Sequence, residues 1–132
     1  MRTKICTSIE QSKKLLELGI DVNTANMHYS TWTILNEGEY ILSPNQGETI
    51  EELQEDYGNQ IVPAWSLSAL LGLIPTDDKK DEYYVDTESH SDYHTVSYRN
   101  CWDGCIHSEY SEESLLDAAF GMVVWLKENN KL

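Results

Sequence analysis

Ile61-Val62-Pro63-Ala64-Trp65-Ser66-Leu67-Ser68-Ala69-Leu70-Leu71-Gly72-Leu73-Ile74 is the stretch on which the fold turns. Leu67, Leu70, Leu71 and Ile74 recur at i, i+3, i+4 and i+7, the spacing that aligns one face of an α-helix. No charge interrupts the run before Asp77, and a helix apolar on most sides belongs in an interior. Pro63 suits a first helical turn, where its missing N–H has no partner to lose. Pro75 stops the helix. The sequence therefore predicts a central helix over about residues 63–73.

Two further helices flank it. Thr7 or Ser8 can cap the first, with Glu10 or Gln11 as the reciprocal partner three residues on. Ile9, Ser12, Leu15, Leu16 and Gly19 share its inner face, and Gly19 supplies a left-handed stop. The predicted span is about residues 7–18. The last helix is expected over about residues 112–128, capped by Ser111, with Glu112 and Glu113 at the positive end of its dipole. Leu115, Leu116, Phe120, Val123, Val124 and Leu126 give it an apolar face. Thr49 with Glu52 marks a short surface helix over residues 48–57, whose thin apolar face is Ile50, Leu53 and Tyr57.

Between the helices the residues turn β-branched and aromatic. Trp32-Thr33-Ile34-Leu35 and Tyr40-Ile41-Leu42-Ser43, joined by Asn36-Glu37-Gly38-Glu39, read as one hairpin. Residues 82–87 and 94–99 read as a second, and residues 100–110, with Asp103-Gly104, as a turn or loop. Two hairpins among helices, without β-α-β alternation, predict an α+β fold. The expectation is one domain over residues 1–132, its hairpins forming one antiparallel sheet with the three main helices packed on it.

The chain has 132 residues, 40% of them apolar, with four Trp and eight Tyr. A core is within reach without disulfide or metal, and ordering entropy can be met by burial. The net charge of −14 opposes direct binding to nucleic acid or to an anionic membrane, which calls for Lys and Arg. The longest apolar stretch, Leu115 to Leu126, is broken by Asp117 and is shorter than a membrane span. Three cysteines are an odd number for a secreted disulfide framework, and no apolar signal segment follows the charged start. A cytoplasmic protein is expected.

Several groups of residues could carry chemistry. His90, His94, Cys101, Cys105 and His107 combine imidazole and thiolate, the ligands zinc prefers, at His-x3-His and Cys-x3-Cys spacing. That spacing matches no standard finger, and no cofactor is required by the fold. Cys6 precedes a helix N-terminus, which favours thiolate, but no base accompanies it in sequence. The run from Asp77 to Glu82 reads as a solvated loop. No nucleophile elbow, phosphate loop, dinucleotide fingerprint or His-Glu-x-x-His is present, so the sequence points away from an enzyme.

Binding is the stronger expectation. Tyr83, Tyr84, Tyr93, Tyr98 and Trp102 crowd one segment, and Tyr and Trp are enriched where protein partners bind. The predicted partner is another protein. An alternative lies in residues 36–60, which hold seven carboxylates and no base. Gathered on one face, such carboxylates can imitate the phosphates of DNA and block a basic groove of a nucleic-acid enzyme. A zinc protein, or a small-molecule pocket lined by Trp32, Tyr83, Tyr98 or Trp102, completes the alternatives.

Lys4 to Asp21, Ile61 to Leu71 and Leu116 to Leu126 together resemble a family of small uncharacterised proteins from gut anaerobic bacteria and the phages and mobile elements they carry. The matched blocks cover about a third of the chain, all of them in expected helix cores. The family has no assigned activity, so the resemblance transfers no site residue. It implies a phage or mobile-element accessory protein acting inside a bacterial cell.

Overall fold

The side chain of Ser8 decides where the first helix starts. In the computed structural model, which describes residues 5–31, 40–45, 49–57, 61–74, 83–100 and 106–129, its hydroxyl accepts from the Gln11 N–H at 3.1 Å. The Gln11 side chain accepts in return from the Ser8 N–H at 3.0 Å. This reciprocal box sets the start of α1 (Ile9–Glu17), satisfying two donors that a helix start leaves open. Gly19 ends the turn at φ +86°, a conformation that a side chain would strain. Ser12 and Leu15 face inward while Lys13 and Lys14 remain exposed.

The chain divides into two compact units, Cys6–Ala69 and Leu70–Leu132 with Met1–Ile5. In the first, α1 and a 3-10 turn (Val22–Thr24) lead into β1 (Met27–Thr31) and β2 (Tyr40–Pro44). After α2 (Ile50–Tyr57) comes β3 (Ile61–Ala64). The sheet order is β2-β1-β3, antiparallel throughout. Both α1 and α2 pack against β3. Leu15, Ile50, Leu53, Ile61, Val62, Ala64 and Trp65 are buried.

In the second unit β4 (Tyr83–Ser89), β5 (His94–Asn100) and β6 (Ile106–Glu112) form an antiparallel sheet in that order. Against β5 and β6 lies α4 (Leu115–Glu128). Its Leu116, Ala119, Met122, Val123 and Leu126 are buried with Val96 and Tyr98 of β5. The Tyr98 and Trp125 rings meet at a tilt, centroids 6.1 Å apart. A remaining short helix, α3 (Leu67–Leu73), has Ser66 at its start, where the Ser66 hydroxyl accepts from the Ala69 N–H at 3.2 Å.

The α+β class and the antiparallel pairing are those expected from sequence. The strands, however, form two sheets of three where one sheet was expected. Each hairpin is completed by a strand that the sequence did not reveal, β3 beside β1 and β6 beside β5.

The boundaries move for local reasons. Pro63, expected in the first turn of the central helix, sits in β3 opposite His28. An edge strand tolerates a residue without N–H, and the helix starts later, at Leu67. That helix is also one-sided, with Leu70 buried and Ser68 and Gly72 exposed. Ser111, expected as the cap of the last helix, belongs to β6, where its hydroxyl is 3.0 Å from that of Thr95. Ser114 caps α4 instead, accepting from the Asp117 N–H at 3.4 Å. The strand that pairs with β2 is Met27–Thr31 among the described residues. Residues 32–39, with the expected turn, lie outside the described residues, as do Asp77 to Glu82.

Candidate functional site

The β4–β5 hairpin carries most of the residues expected to work. Its register runs from Tyr83↔Asn100 to Ser89↔His94 without irregularity. At the turn the His90 N–H donates to the Tyr93 carbonyl at 2.8 Å, leaving Ser91 and Asp92 at the tip, residue types suited to tight turns. The His90 ring stacks on Tyr93, centroids 4.4 Å apart and planes 19° from parallel. Glu88 Oε2 lies 3.4 Å from His90 Nε2, and His94 Nδ1 lies 3.0 Å from the Ser89 hydroxyl. Tyr93 remains 45% exposed. A flat aromatic pair, held by a turn hydrogen bond and bordered by a carboxylate, is thus presented to solvent.

Cross-strand partners share a face of the sheet. Glu88, Thr95 and Ser111 form one row across the three strands, and Asp86, Ser97 and Glu109 the next. Thr95 and Ser97 are buried, whereas Glu88, Glu109 and Ser111 are exposed. Thr95 thus lies between Glu88 and Ser111, and Ser97 between the carboxylates of Asp86 and Glu109. Asp86 Oδ2 is 3.5 Å from Arg99 Nε, which offsets one of those charges.

Of the five expected metal ligands, the described residues place the backbone of His90, His94 and His107. His90 and His94 lie at the turn end of the sheet, since His94 pairs with Glu112. His107 lies next to Ser108, which pairs with Tyr98, five residues back along β6. At roughly 3.3 Å per residue that sets the two backbone positions about 17 Å apart along the strand. Cys101 and Cys105 lie outside the described residues. Among those described, no three His, Cys, Asp or Glu side chains come together as a metal-binding group.

The expected aromatic surface is also divided. Tyr98 is corrected from surface to core: it is 1% exposed and faces α4, because the alternation of β5 puts it on the same face as Val96. It therefore lines neither a partner surface nor an open pocket. Tyr84 is half-buried and Tyr93 exposed. Tyr83 begins β4, and Trp102, like Trp32, lies outside the described residues.

In the first unit several polar side chains are engaged in structure. Thr7, fully buried, accepts through its hydroxyl from the Trp65 N–H at 3.0 Å and lies 2.8 Å from the Ser12 hydroxyl. The Trp65 indole donates to the Thr24 hydroxyl at 2.9 Å. Tyr29 donates to the Thr7 carbonyl at 2.8 Å and lies 3.5 Å from Cys6 Sγ. Burial, and then the contact with Cys6, raise the Tyr29 phenol well above its ordinary range. A phenol that holds its proton so firmly is no base for the Cys6 thiol.

Sequence reasoning missed β6 and the buried hydroxyls Thr95 and Ser97. The signal for β6 was weak, with Ile106 and Tyr110 the apolar or aromatic positions among polar residues. Comparison with family models, curated proteins and solved structures finds no match to this chain.

Proposed function

We propose that this chain is a non-enzymatic protein-binding module that contacts its partner through the β4–β5 hairpin. The observation that carries this reading is the exposed Tyr93, stacked on His90 at the turn and flanked by Glu88. A preordered aromatic ring loses little entropy when a partner covers it, and rigid Tyr side chains are favoured at binding centres. The −14 charge sets the partner's character as basic near the contact. The resemblance of the helix cores suggests a phage or mobile-element accessory protein in a bacterial cell.

A second reading has its own support. Glu51, Glu52 and Glu55 stand exposed on α2, without a basic residue in that helix's last turn, as a surface imitating nucleic-acid phosphates would require.

One experiment tests both. The full chain is immobilised and exposed to bacterial lysate at low and high salt, beside Tyr93→Ala and a Glu51→Gln/Glu52→Gln/Glu55→Gln triple variant, each with unchanged circular dichroism. A protein retained at high salt and lost with Tyr93→Ala supports the hairpin reading. A nucleic-acid enzyme released by salt and lost with the triple variant supports imitation. Retention unaffected by Tyr93→Ala overturns the first.

A further inference from the structure

We propose that β4 is a docking strand, and that the partner contributes an extended segment with Lys or Arg at alternate positions, which pairs along the outer edge of β4 as a fourth strand. The inference rests on the protein-binding reading and names the partner's chemistry. Among the described residues β4 is hydrogen-bonded on one side only, to β5.

The turn fixes which backbone groups face outward. His90 and Tyr93 form a hydrogen-bonded pair, and in an antiparallel ladder such pairs alternate with non-bonded ones. Counting back through the register, Glu88, Asp86 and Tyr84 bond to β5. Val85, Thr87 and Ser89 then direct their N–H and C=O groups away from it. Thr87, Glu88 and Ser89 are all exposed, so this part of the edge is open to a ligand.

The opposite edge is less suited. Pairing of β5 with β6 shifts register between Tyr98 and Arg99, and an irregularity of this kind twists an edge and impedes further pairing. The seven-residue β4 has no such break.

Charge chooses the occupant. Asp86 and Glu88 are two residues apart on one face, so an added strand meets them with every second side chain. Lys or Arg at those positions complements both carboxylates, and the guanidinium of Arg99 already occupies one side of Asp86. A second copy of this chain is disfavoured. Antiparallel pairing of two β4 strands about Thr87 would set Asp86 of each against Glu88 of the other, and like charges directly opposite are destabilising.

The test is a titration of the isotope-labelled full chain, followed by amide NMR, with three end-blocked seven-residue peptides matching the length of β4. The first alternates lysine and valine. The second has the same side chains with every other backbone nitrogen methylated, and the third has glutamate for lysine. The first peptide is expected to shift the Val85, Thr87 and Ser89 amides saturably and to slow their exchange, with the other two binding at least about tenfold more weakly. Glu88→Lys should weaken the first peptide about tenfold. Thr87→Pro, which removes an outward N–H while leaving the β4–β5 ladder intact, should abolish its binding. Equal binding of the methylated peptide, shifts elsewhere than residues 85–89, or no binding overturns the proposal. In the lysate capture, loss with Tyr93→Ala but full retention with Thr87→Pro and Glu88→Lys would sink strand pairing and leave the hairpin reading standing. Retention in all three would sink both.

Discussion

Replacing Gly121 with alanine sets two opposing effects against each other at one atom. Gly121 lies within α4, and an alanine there would gain up to about 1 kcal/mol of helix propensity. A Cβ at this position would lie 2.7 Å from Cδ1 of Tyr110, 3.1 Å from its Cγ and 3.2 Å from its Cε1. These atoms sit near the root of the ring, so the tyrosine cannot swing clear without moving β6. Overpacking of this kind costs about 1–3 kcal/mol. The clash therefore wins, and Gly121→Ala should destabilise by about 1 kcal/mol net. Gly72 provides the control. A Cβ there meets nothing within 4 Å, and Gly72→Ala near the end of α3 should stabilise by about 0.5 kcal/mol. In a Tyr110→Ala background, where the ring is gone, adding Gly121→Ala should change sign and stabilise. Urea denaturation followed by circular dichroism, run as a double-mutant cycle, measures the coupling directly. Stabilisation by Gly121→Ala in the native background, equal to that at Gly72, would refute the packing of Tyr110 against α4.

Two further outcomes follow from the first unit. Thr7→Val leaves the Trp65 N–H without its acceptor in a buried setting and should cost about 2 kcal/mol, against about 1 kcal/mol for Thr7→Ser, which keeps the hydroxyl and loses a methyl; urea midpoints of the two variants decide, and equal losses would deny the hydrogen bond its part. The Tyr29 phenol is held neutral in the fold by burial and by Cys6, so the stability it contributes is complete below about pH 10, where the unfolded tyrosine is also neutral, and falls as pH rises above that value. Urea midpoints between pH 8 and 11 should therefore drop for the native chain and drop less for Tyr29→Phe, with Tyr110, also raised by burial and by Glu128, retaining part of the slope.

The helices were legible because their signals are local. Ser8 with Gln11, the stop at Gly19, and the apolar face of residues 115–126 need only neighbours within one or two turns to take effect. The strands were harder to place. Ile61-Val62-Pro63-Ala64 has a proline that suits a helix start as well as an edge strand, and only its pairing with β1 chooses between them. In the same way Ser111 is as good a cap as Ser114 by sequence. What excludes it is Thr95, sixteen residues away, whose hydroxyl holds Ser111 in β6. Sheet partners act at sequence separations that periodicity does not sample.

The same limit explains the site. Tyr93 and Tyr98 are five residues apart and chemically alike, yet one is exposed and the other sealed against Trp125. Position relative to the turn separates them: Tyr93 closes the turn with His90, while Tyr98 follows Val96 on the face covered by α4. The histidines divide for a similar reason, since a hairpin places residues near its turn together and residues along an outer strand progressively farther from it. Composition identified the segment that carries an exposed aromatic, but the register of three strands determined which tyrosine is exposed and which is sealed. A sequence rule able to find the site would have to locate the turn at Ser91-Asp92 first and count outward from it, because every assignment of side chain to face depends on that origin.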